Sequence, residues 1–569
     1  MKFENWDIRG FNRDAAVELC REGLNPLVSV FLASRGFERI NDARTFLKAG
    51  VGLHDPFLLK DMDKAVEAIN SAVAGKKKIA VYGDYDVDGM TSCALLSLWL
   101  RSKGADFEVY IPGRFEEGYG LNFSAADALH KRGIGLIITV DCGVTAIAEA
   151  EHAKKLGMDL VITDHHECRE FLPAAAAVVN PKRADCFYPN KDLAGVGVVF
   201  KLICALEHGT DEKTLLEKYA QLVAVGTIAD VMSVVGENRE LLKYGLNSLN
   251  SNPLVGLSKL MQNGDNNNGK IDTVTIGFSI APKLNAAGRM GVPELSVSLL
   301  LTLDEREAEE LAGRLTELNL NRRALESQIH EEAELMLPKS VFKDPPSGPI
   351  ILAKRGWYQG VAGIVAARMA ERYRAPAVII TIDDDGVGRG SCRSYGSFNI
   401  FEAIHSCADI LENYGGHEKA AGVTVAEKHI NELGRRIAEF YAKTISNTPK
   451  ATLKLDFEVE KPELLTIRNL EALDDLKPFG NGNLPPCLCI KGAEVVSAFA
   501  IGLGKHTKLR IKKKAVFFDA ICFSLPPEQL GVGEGDTADI AFEPHINSYR
   551  GADNVQLQVI DIRKSDNQL

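Results

Sequence analysis

Between Ile79 and Ser92 the chain reads IAVYGDYDVDGMTS, and this stretch limits what the rest can be. An apolar run (Ile79, Ala80, Val81) has the character of a buried strand and stops at Gly83. Three carboxylates follow on alternate residues, Asp84, Asp86 and Asp88, before Gly89 and a helix-like run from Thr91 to Leu100. In an open α/β sheet, ligands bind where loops leave the C-terminal ends of strands. Three acids this close repel one another, and part of the set is driven toward neutrality unless a cation sits among them. Taken alone, the loop also reads as a solvated acidic turn.

The runs that follow end in the same way. Gly135–Val140 leads into Asp141-Cys142-Gly143, and Asp159–Thr163 leads into Asp164-His165-His166. Leu222–Ala229, the weakest strand of the set, leads into Asp230. Carboxylates and imidazoles gathered at one sheet edge suit hard-to-borderline divalent ions. Two such ions about 3.5–4 Å apart activate a water and clamp both oxygens of an in-line phosphoryl displacement.

The formal charge of −11 over 569 residues is the wrong sign for a protein that coats nucleic acid nonspecifically. Basic residues that meet a phosphate backbone must then be concentrated in a channel. The 11 cysteines form no CxxC pair and no paired zinc spacing, which points to reduced thiols and a cytoplasmic location. The first residues, MKFENWDIRG, lack the apolar core of a signal peptide, and no run is long enough for a membrane span.

The length suits three or four domains. Residues 1–50 read as a helical segment packing on the core that follows, with Leu27, Val28, Phe31 and Leu32 at helical spacing. Strand–helix alternation then predicts a parallel sheet within 51–303. In LAGVGVVFK (193–201) the glycines permit close packing, and the segment carries no chemistry of its own. A long helix is predicted over 304–342, with Leu311, Leu315, Leu318, Leu325, Ile329 and Met336 in a repeat that Arg322 interrupts. It reads as a strut between domains rather than a coiled coil. A smaller α/β unit follows over 343–447. In it Ser391 and Arg393 lie two apart, on one side of an extended segment, where both reach one phosphate. Gly415 and Gly416 allow close backbone approach beside His417, although Gly-Gly-His by itself reads as a turn. From 448 to 569, short strands broken by Gly and Pro suggest a small barrel such as an OB-fold. Lys508, Arg510 and Lys512 alternate with buried residues, giving a basic face suited to a strand backbone.

DYDVDG, VDCG, the DHH triplet at 164–166 and TIAD at 227–230 resemble the successive motifs of the DHH phosphoesterase superfamily. NAAGRM (285–290), GSCRS (390–394), YGGH (414–417) and KPFGNGNLPP (477–486) resemble its RecJ branch, the single-stranded-DNA-specific exonucleases. The resemblance implies an α/β fold: a parallel-sheet DHH domain, a long helix, a smaller DHH-associated domain and a C-terminal OB-fold. It implies two divalent ions, Mn²⁺ or Mg²⁺, on Asp84, Asp86, Asp88, Asp141, His165 and Asp230, with Asp141 as the bridge. Asp164 and His166 are ligands or partners of ligands. The superfamily's first-motif His is replaced by Tyr82, and Asp84 supplies the missing ligand. Arg114, Tyr119, Asn285, Arg289, Ser391, Arg393, Gly415, Gly416 and His417 become strand contacts. The implied activity is 5′-to-3′ hydrolysis of single-stranded DNA in repair and recombination, by a monomer with no membrane contact. Single-strand-binding protein and a helicase are the protein partners it brings into view. Two rivals stay open: a phosphodiesterase or pyrophosphatase of the same superfamily acting on small nucleotides, and a scaffold that has lost its metals.

Overall fold

Alternation within the short apolar runs decides how the first domain is layered. In strand β1 (Ile79–Tyr82), Ile79 and Val81 enter one apolar cluster while Ala80 and Tyr82 enter another on the opposite face. Such two-sided burial is typical of parallel sheets covered by helices. With β2 (Phe107–Tyr110), β3 (Leu136–Val140), β4 (Asp159–Thr163) and β5 (Ala177–Val179), it forms a five-stranded parallel sheet in the order β2-β1-β3-β4-β5. Helices α1 (Val87–Ser102), α2 (Gly195–Leu206) and α3 (Glu212–Ala229) fill the larger cluster. The protein is a computed structural model that describes residues 3–48, 52–115, 117–118, 120–262, 269–342, 346–444, 452–549 and 552–565.

One expected strand is a helix. Residues 222–229 form the last two turns of α3, so Asp230 follows a helix C-terminus and not a strand end. The reason lies upstream: Leu215, Leu216, Tyr219, Leu222 and Val223 recur at helical spacing, and all are buried. Read in isolation, the window hid that period.

After α4 (Ala281–Arg289), helix α5 (Glu305–Leu335) runs for 31 residues, roughly 46 Å, with Asp304 capping its start through the amides of Arg306 and Glu307. Leu311, Ala312 and Leu315 pack into the first domain, whereas Ile329 and Ala333 pack into the second. Between them the helix buries Asn319, Arg322 and Glu326, hydrogen-bonded to one another, where it crosses between the two cores. It is a strut between the two cores, but it ends at Leu335, short of the predicted 342, because Pro338 follows.

In the second domain β6 (Ile350–Arg355), β7 (Ala377–Ile382), β8 (Val387–Arg393), β9 (Asn413–His417) and β10 (Ala420–Ala426) form a mixed sheet, order β9-β10-β8-β7-β6, with α6 (Gln359–Tyr373) against it. At the C-terminal end β11 (Leu488–Ile501), β12 (His506–Lys513), β13 (Val516–Cys522), β14 (Thr537–Tyr549) and β15 (Ala552–Lys564) close into a barrel. Closure comes from pairing of β14 with both β15 and β11.

The N-terminal segment packs elsewhere than the sequence reading had it. Asn5–Ile8 pairs in parallel with Thr452–Leu455, and Leu19, Leu27, Val28, Phe31 and Leu32 share a core with the barrel residues Ile490, Val495 and Phe542. Helical periodicity reveals an apolar face but not its partner. The buried Arg239 ties these pieces together: its guanidinium donates to the carbonyls of Phe46, Lys477 and Pro478. Among the described residues no helix is long and apolar enough to cross a membrane.

Candidate active site

Each acidic loop is shaped by a glycine beside it. Asp86 caps α1 by accepting from Gly89 N at 3.0 Å, and a Cβ on Gly89 would lie 2.5 Å from the Asp84 carbonyl oxygen. Only glycine lets the helix start this close to the carboxylate loop. Gly288, within NAAGRM, plays the same part from the other side, since its Cβ would fall 1.9 Å from Tyr85 O. Asp141, just past β3, sits at φ 60°, a left-handed conformation that Asp tolerates better than most residues.

Three overlapping groups result: Asp84, Asp86 and Asp141; Asp141, His165 and His166; Asp88, His165 and Asp230. Within each group one ligand atom per residue lies within 4.8 Å of the others. His165 Nε2 is 3.1 Å from Asp141 Oδ1, 3.5 Å from Asp230 Oδ2 and 3.8 Å from Asp88 Oδ2. Asp141 and His165 each belong to two groups and join the whole set.

Burial, and then the neighbouring carboxylates, push Asp84, Asp88 and Asp141 well above the usual carboxylate range. Asp230 rises to about 7 for the same reasons, with Asp86 its main neighbour. Burial, reinforced by His166, takes His165 down to about 3, so its imidazole is neutral with a lone pair free to coordinate. Asp84 Oδ1 and Asp230 Oδ2 are buried without a hydrogen bond among the described residues. Orphaned oxygens, mutually repelling carboxylates and a neutral imidazole fit hard divalent cations such as Mn²⁺ or Mg²⁺.

Asp164, expected among the metal ligands, stands apart. Oδ1 accepts from His165 N at 2.7 Å, His166 N at 3.0 Å and His166 Nδ1 at 2.8 Å, while Oδ2 accepts from Val144 N at 2.9 Å. With both oxygens engaged it belongs to none of the three groups and instead orients His166, as carboxylates do behind metal-binding imidazoles. Burial works against the His166 cation, but the Asp164 hydrogen bond outweighs it and raises the ring to about 9.

Contrary to the expectation that it carries no chemistry, the segment 193–201 contributes two donors. The first amides of α2, Gly195 N and Val196 N, reach Asp88 Oδ2 and Oδ1 at 2.6 and 2.9 Å. Gly195 must lack a side chain, because its Cβ would lie 2.6 Å from Asp141 Cβ and Oδ1. Gly226 on α3 likewise clears Asp88 and Thr91. Ala-Gly before a buried apolar helix was the only trace of this in the sequence.

The expected strand contacts fall into two sets. Arg114, Arg289 and Arg393 come together: burial lowers Arg289 to about 10, and the charges of Arg114, Arg322 and Arg393 add to the lowering. In the sequence Arg322 shows only as a break in an apolar stripe. Arg393 Nη2 and Ser391 Oγ lie 3.1 and 3.5 Å from where a Cβ on Gly363 would be, so the two share one spot above α6. Sheet register aligns Ser391, Gly422 and Gly415 in one row and Arg393, Ala420 and His417 in the next. At about 4.8 Å per strand, His417 is roughly 10 Å from Arg393 on the same face. Gly415, Gly416 and His417 lie on the exposed edge strand β9, a strand and not a turn. Asn285 Oδ1 is buried without a hydrogen bond among the described residues, in a cavity of about 570 Å³ that Arg289 and Arg322 also line. Tyr119 lies outside the described residues.

On the barrel, Lys508, Arg510 and Lys512 share the outer face of β12 while Leu509 and Ile511 are buried. The face is less basic than its sequence, because Asp519 on β13 pairs with both Lys508 and Arg510.

Three family descriptions match in order: DHH family, N-terminal domain, over residues 78–227; DHHA1 domain over 347–443; and RecJ OB domain over 455–561. The single-stranded-DNA-specific exonuclease RecJ of Escherichia coli (strain K12) is 32% identical over 560 residues, covering 94% of this chain and 95% of that one. The chain belongs to the RecJ family. Its relative of the same name in Bacillus subtilis (strain 168) is 36% identical over 568 residues, which span 99% of this chain and 71% of that protein. Among solved structures, RecJ of Thermus thermophilus in complex with Mn²⁺ superposes with a TM-score of 0.84 at 30% identity, covering 99% of this chain and 80% of that one. RecJ from the same organism with Mg²⁺ gives 0.78 at 28%, covering 99% and 79%.

Proposed function

We propose that this RecJ-family protein is a metal-dependent exonuclease that hydrolyses single-stranded DNA from the 5′ end in repair and recombination. The observation that carries the metal chemistry is the joining of three ligand groups through Asp141 and His165. It suits two ions, Mn²⁺ or Mg²⁺, which Asp84, Asp86, Asp88, Asp141, His165 and Asp230 would hold, with Asp141 shared between two of the groups. Bound divalent ions supply Lewis-acid polarisation of the scissile phosphate and a water made acidic near neutral pH.

The chain's own groups do the rest. The α2 amides fix Asp88, and Asp164 fixes the ring of His166 through Nδ1. Arg114, Arg289 and Arg393 present guanidinium donors to phosphate oxygens, a task their planar forks suit. A terminal monoester carries more charge than an internal diester, so this cluster favours a 5′-phosphorylated end. Ser391, Arg393 and His417 share one sheet face that a strand can follow, and Tyr85, beneath Arg114 at 4.7 Å, offers a ring beside the carboxylates.

Labelled 5′-phosphorylated single strands, 5′-hydroxyl single strands, duplex DNA and a dinucleotide, each incubated with Mn²⁺, test the proposal. Preferential degradation of the phosphorylated single strand is expected, and Arg393→Ala should remove most of that preference. Dinucleotide cleavage without strand degradation would favour the small-nucleotide rival. Equal phosphate preference in wild type and variant would remove Arg393 as the end sensor.

A further inference from the structure

Of the two acids in the loop that carries Arg114, Glu116 and Glu117, the second lies three residues from it. A carboxylate beside a phosphate-binding arginine works against binding unless it is spent elsewhere, and the structure shows where. Glu117 Oε1 accepts from Tyr110 OH at 2.7 Å, and Oε2 accepts from Gly113 N at 2.7 Å. The backbone closes the same turn, with Glu117 N and Gly118 N both donating to Gly113 O, at 2.8 and 3.1 Å. Arg114 thus sits within a ring of bonds in which Glu117 supplies the side-chain acceptor.

The ring is anchored to the sheet by two tyrosines. Tyr110 ends β2, and its aromatic ring stacks on that of Tyr82 at 5.3 Å and 16°. Tyr82 is fully buried at the end of β1, and its hydroxyl donates to Gly120 O at 2.8 Å, at the far end of the same loop. The residue standing where the superfamily has a histidine ligand therefore points into this anchor. Across the domain boundary, Phe115 meets Tyr358 edge-on at 5.7 Å, and Tyr358 OH donates to Arg289 O at 3.2 Å. The loop is held from the sheet side by Glu117 and its tyrosines, and it touches the second domain beside another arginine of the cluster.

We infer that Glu117 is a positioning residue for Arg114: with Tyr110 it holds the turn at Gly113 that sets the Arg114 guanidinium over Tyr85, next to the contact of Phe115 with Tyr358. This rests on the reading of Arg114 as a strand contact. Without the carboxylate the turn loses its link to Tyr110, Arg114 samples other positions, and the strand is held less tightly. The metal ligands keep their own bonds, because the groups that Glu117 holds are Tyr110 and Gly113.

The experiment uses the full chain with Mn²⁺ and a 5′-phosphorylated single strand, comparing Glu117→Ala, Tyr110→Phe, Arg114→Ala and the Glu117→Ala/Arg114→Ala double variant. Expected are a rise in KM of about tenfold for Glu117→Ala and about threefold for Tyr110→Phe. In both, kcat should stay within twofold and Mn²⁺ titration should be unchanged. In the double variant KM should equal that of Arg114→Ala alone, because an arginine that is absent cannot be misplaced. Multiplying effects, or a fall in kcat and Mn²⁺ affinity together, would overturn the inference. So would a normal KM in Glu117→Ala beside an impaired Arg114→Ala. A normal KM in Arg114→Ala would instead overturn the reading of Arg114 itself. Should Glu117→Ala fail to fold, Tyr110→Phe, which keeps the Gly113 bond, decides by the same KM-against-kcat criterion.

Discussion

Adding one methyl group at Gly195 should disable the enzyme while leaving the fold intact. In Gly195→Ala the new Cβ lies 2.6 Å from Asp141 Cβ and Oδ1 and 2.8 Å from its Cγ, about 1 Å inside ordinary contact. Two routes relieve the overlap. Asp141 can shift, although its left-handed backbone and the bond from its amide to Thr163 O hold it in place. Otherwise the start of α2 recedes, and Asp88 loses the bonds from Gly195 N and Val196 N. Burial among like charges pushes Asp88 toward its neutral form in metal-free protein, where a hydrogen bond contributes about 0.5–1.5 kcal/mol, so losing two of them should cost about 1–3 kcal/mol. Activity should suffer more, since a displacement of about 1 Å near the reacting groups costs on the order of 100-fold. The assay is turnover of a 5′-phosphorylated single strand across a Mn²⁺ titration, with thermal unfolding followed in parallel. Gly197→Ala is the control: on the same helix its Cβ lies 3.2 Å from Leu193 Cδ2, the end of a side chain that can turn away. Gly195→Ala activity above a tenth of wild type, or equal losses in both variants, would refute the reasoning.

Asp141→Ala should abolish cleavage, and with chelator present at pH 8 its melting temperature should rise, because a buried carboxylate among like charges is gone; measurable turnover at saturating Mn²⁺ would remove Asp141 as the bridge. Mn²⁺ binding should release protons, with apparent affinity rising from pH 6 to 8, because Asp230 titrates near 7 and an ion must displace what it holds. Calorimetry in buffers of different ionisation enthalpy reads this directly, and a heat independent of buffer would contradict it. Replacing Lys508, Arg510 and Lys512 together by Gln should lower the salt slope of strand binding by roughly 1–2, less than the 2 or so of three free cations at about 0.7 each, because Asp519 already offsets part of their charge. An unchanged slope would mean that this face does not meet DNA.

The sequence determined whatever depends on short stretches of chain. The buried apolar run at Ile79–Tyr82, carboxylates within two residues past the ends of three strands, the long helix α5 and the alternation along β12 all follow from residues within a turn or a strand of one another. The carboxylate cluster was legible because a parallel sheet sends its strand ends to one edge. Only the tertiary structure decided which apolar faces meet and which donors reach which acids. The N-terminal helices carry an apolar stripe that fits many partners, and the barrel core is the one that buries it. Asp230 reaches the cluster from the end of a helix, because packing over the whole of α3 outweighed a strand-like window of eight residues. The α2 amides on Asp88 join residues 107 positions apart, and the demand that Gly195 have no side chain exists only once Asp141 stands beside it. Asp164 and Asp141 both directly follow a strand in the sequence; the backbone amides around Asp164 engage its oxygens, and that difference appears only in three dimensions.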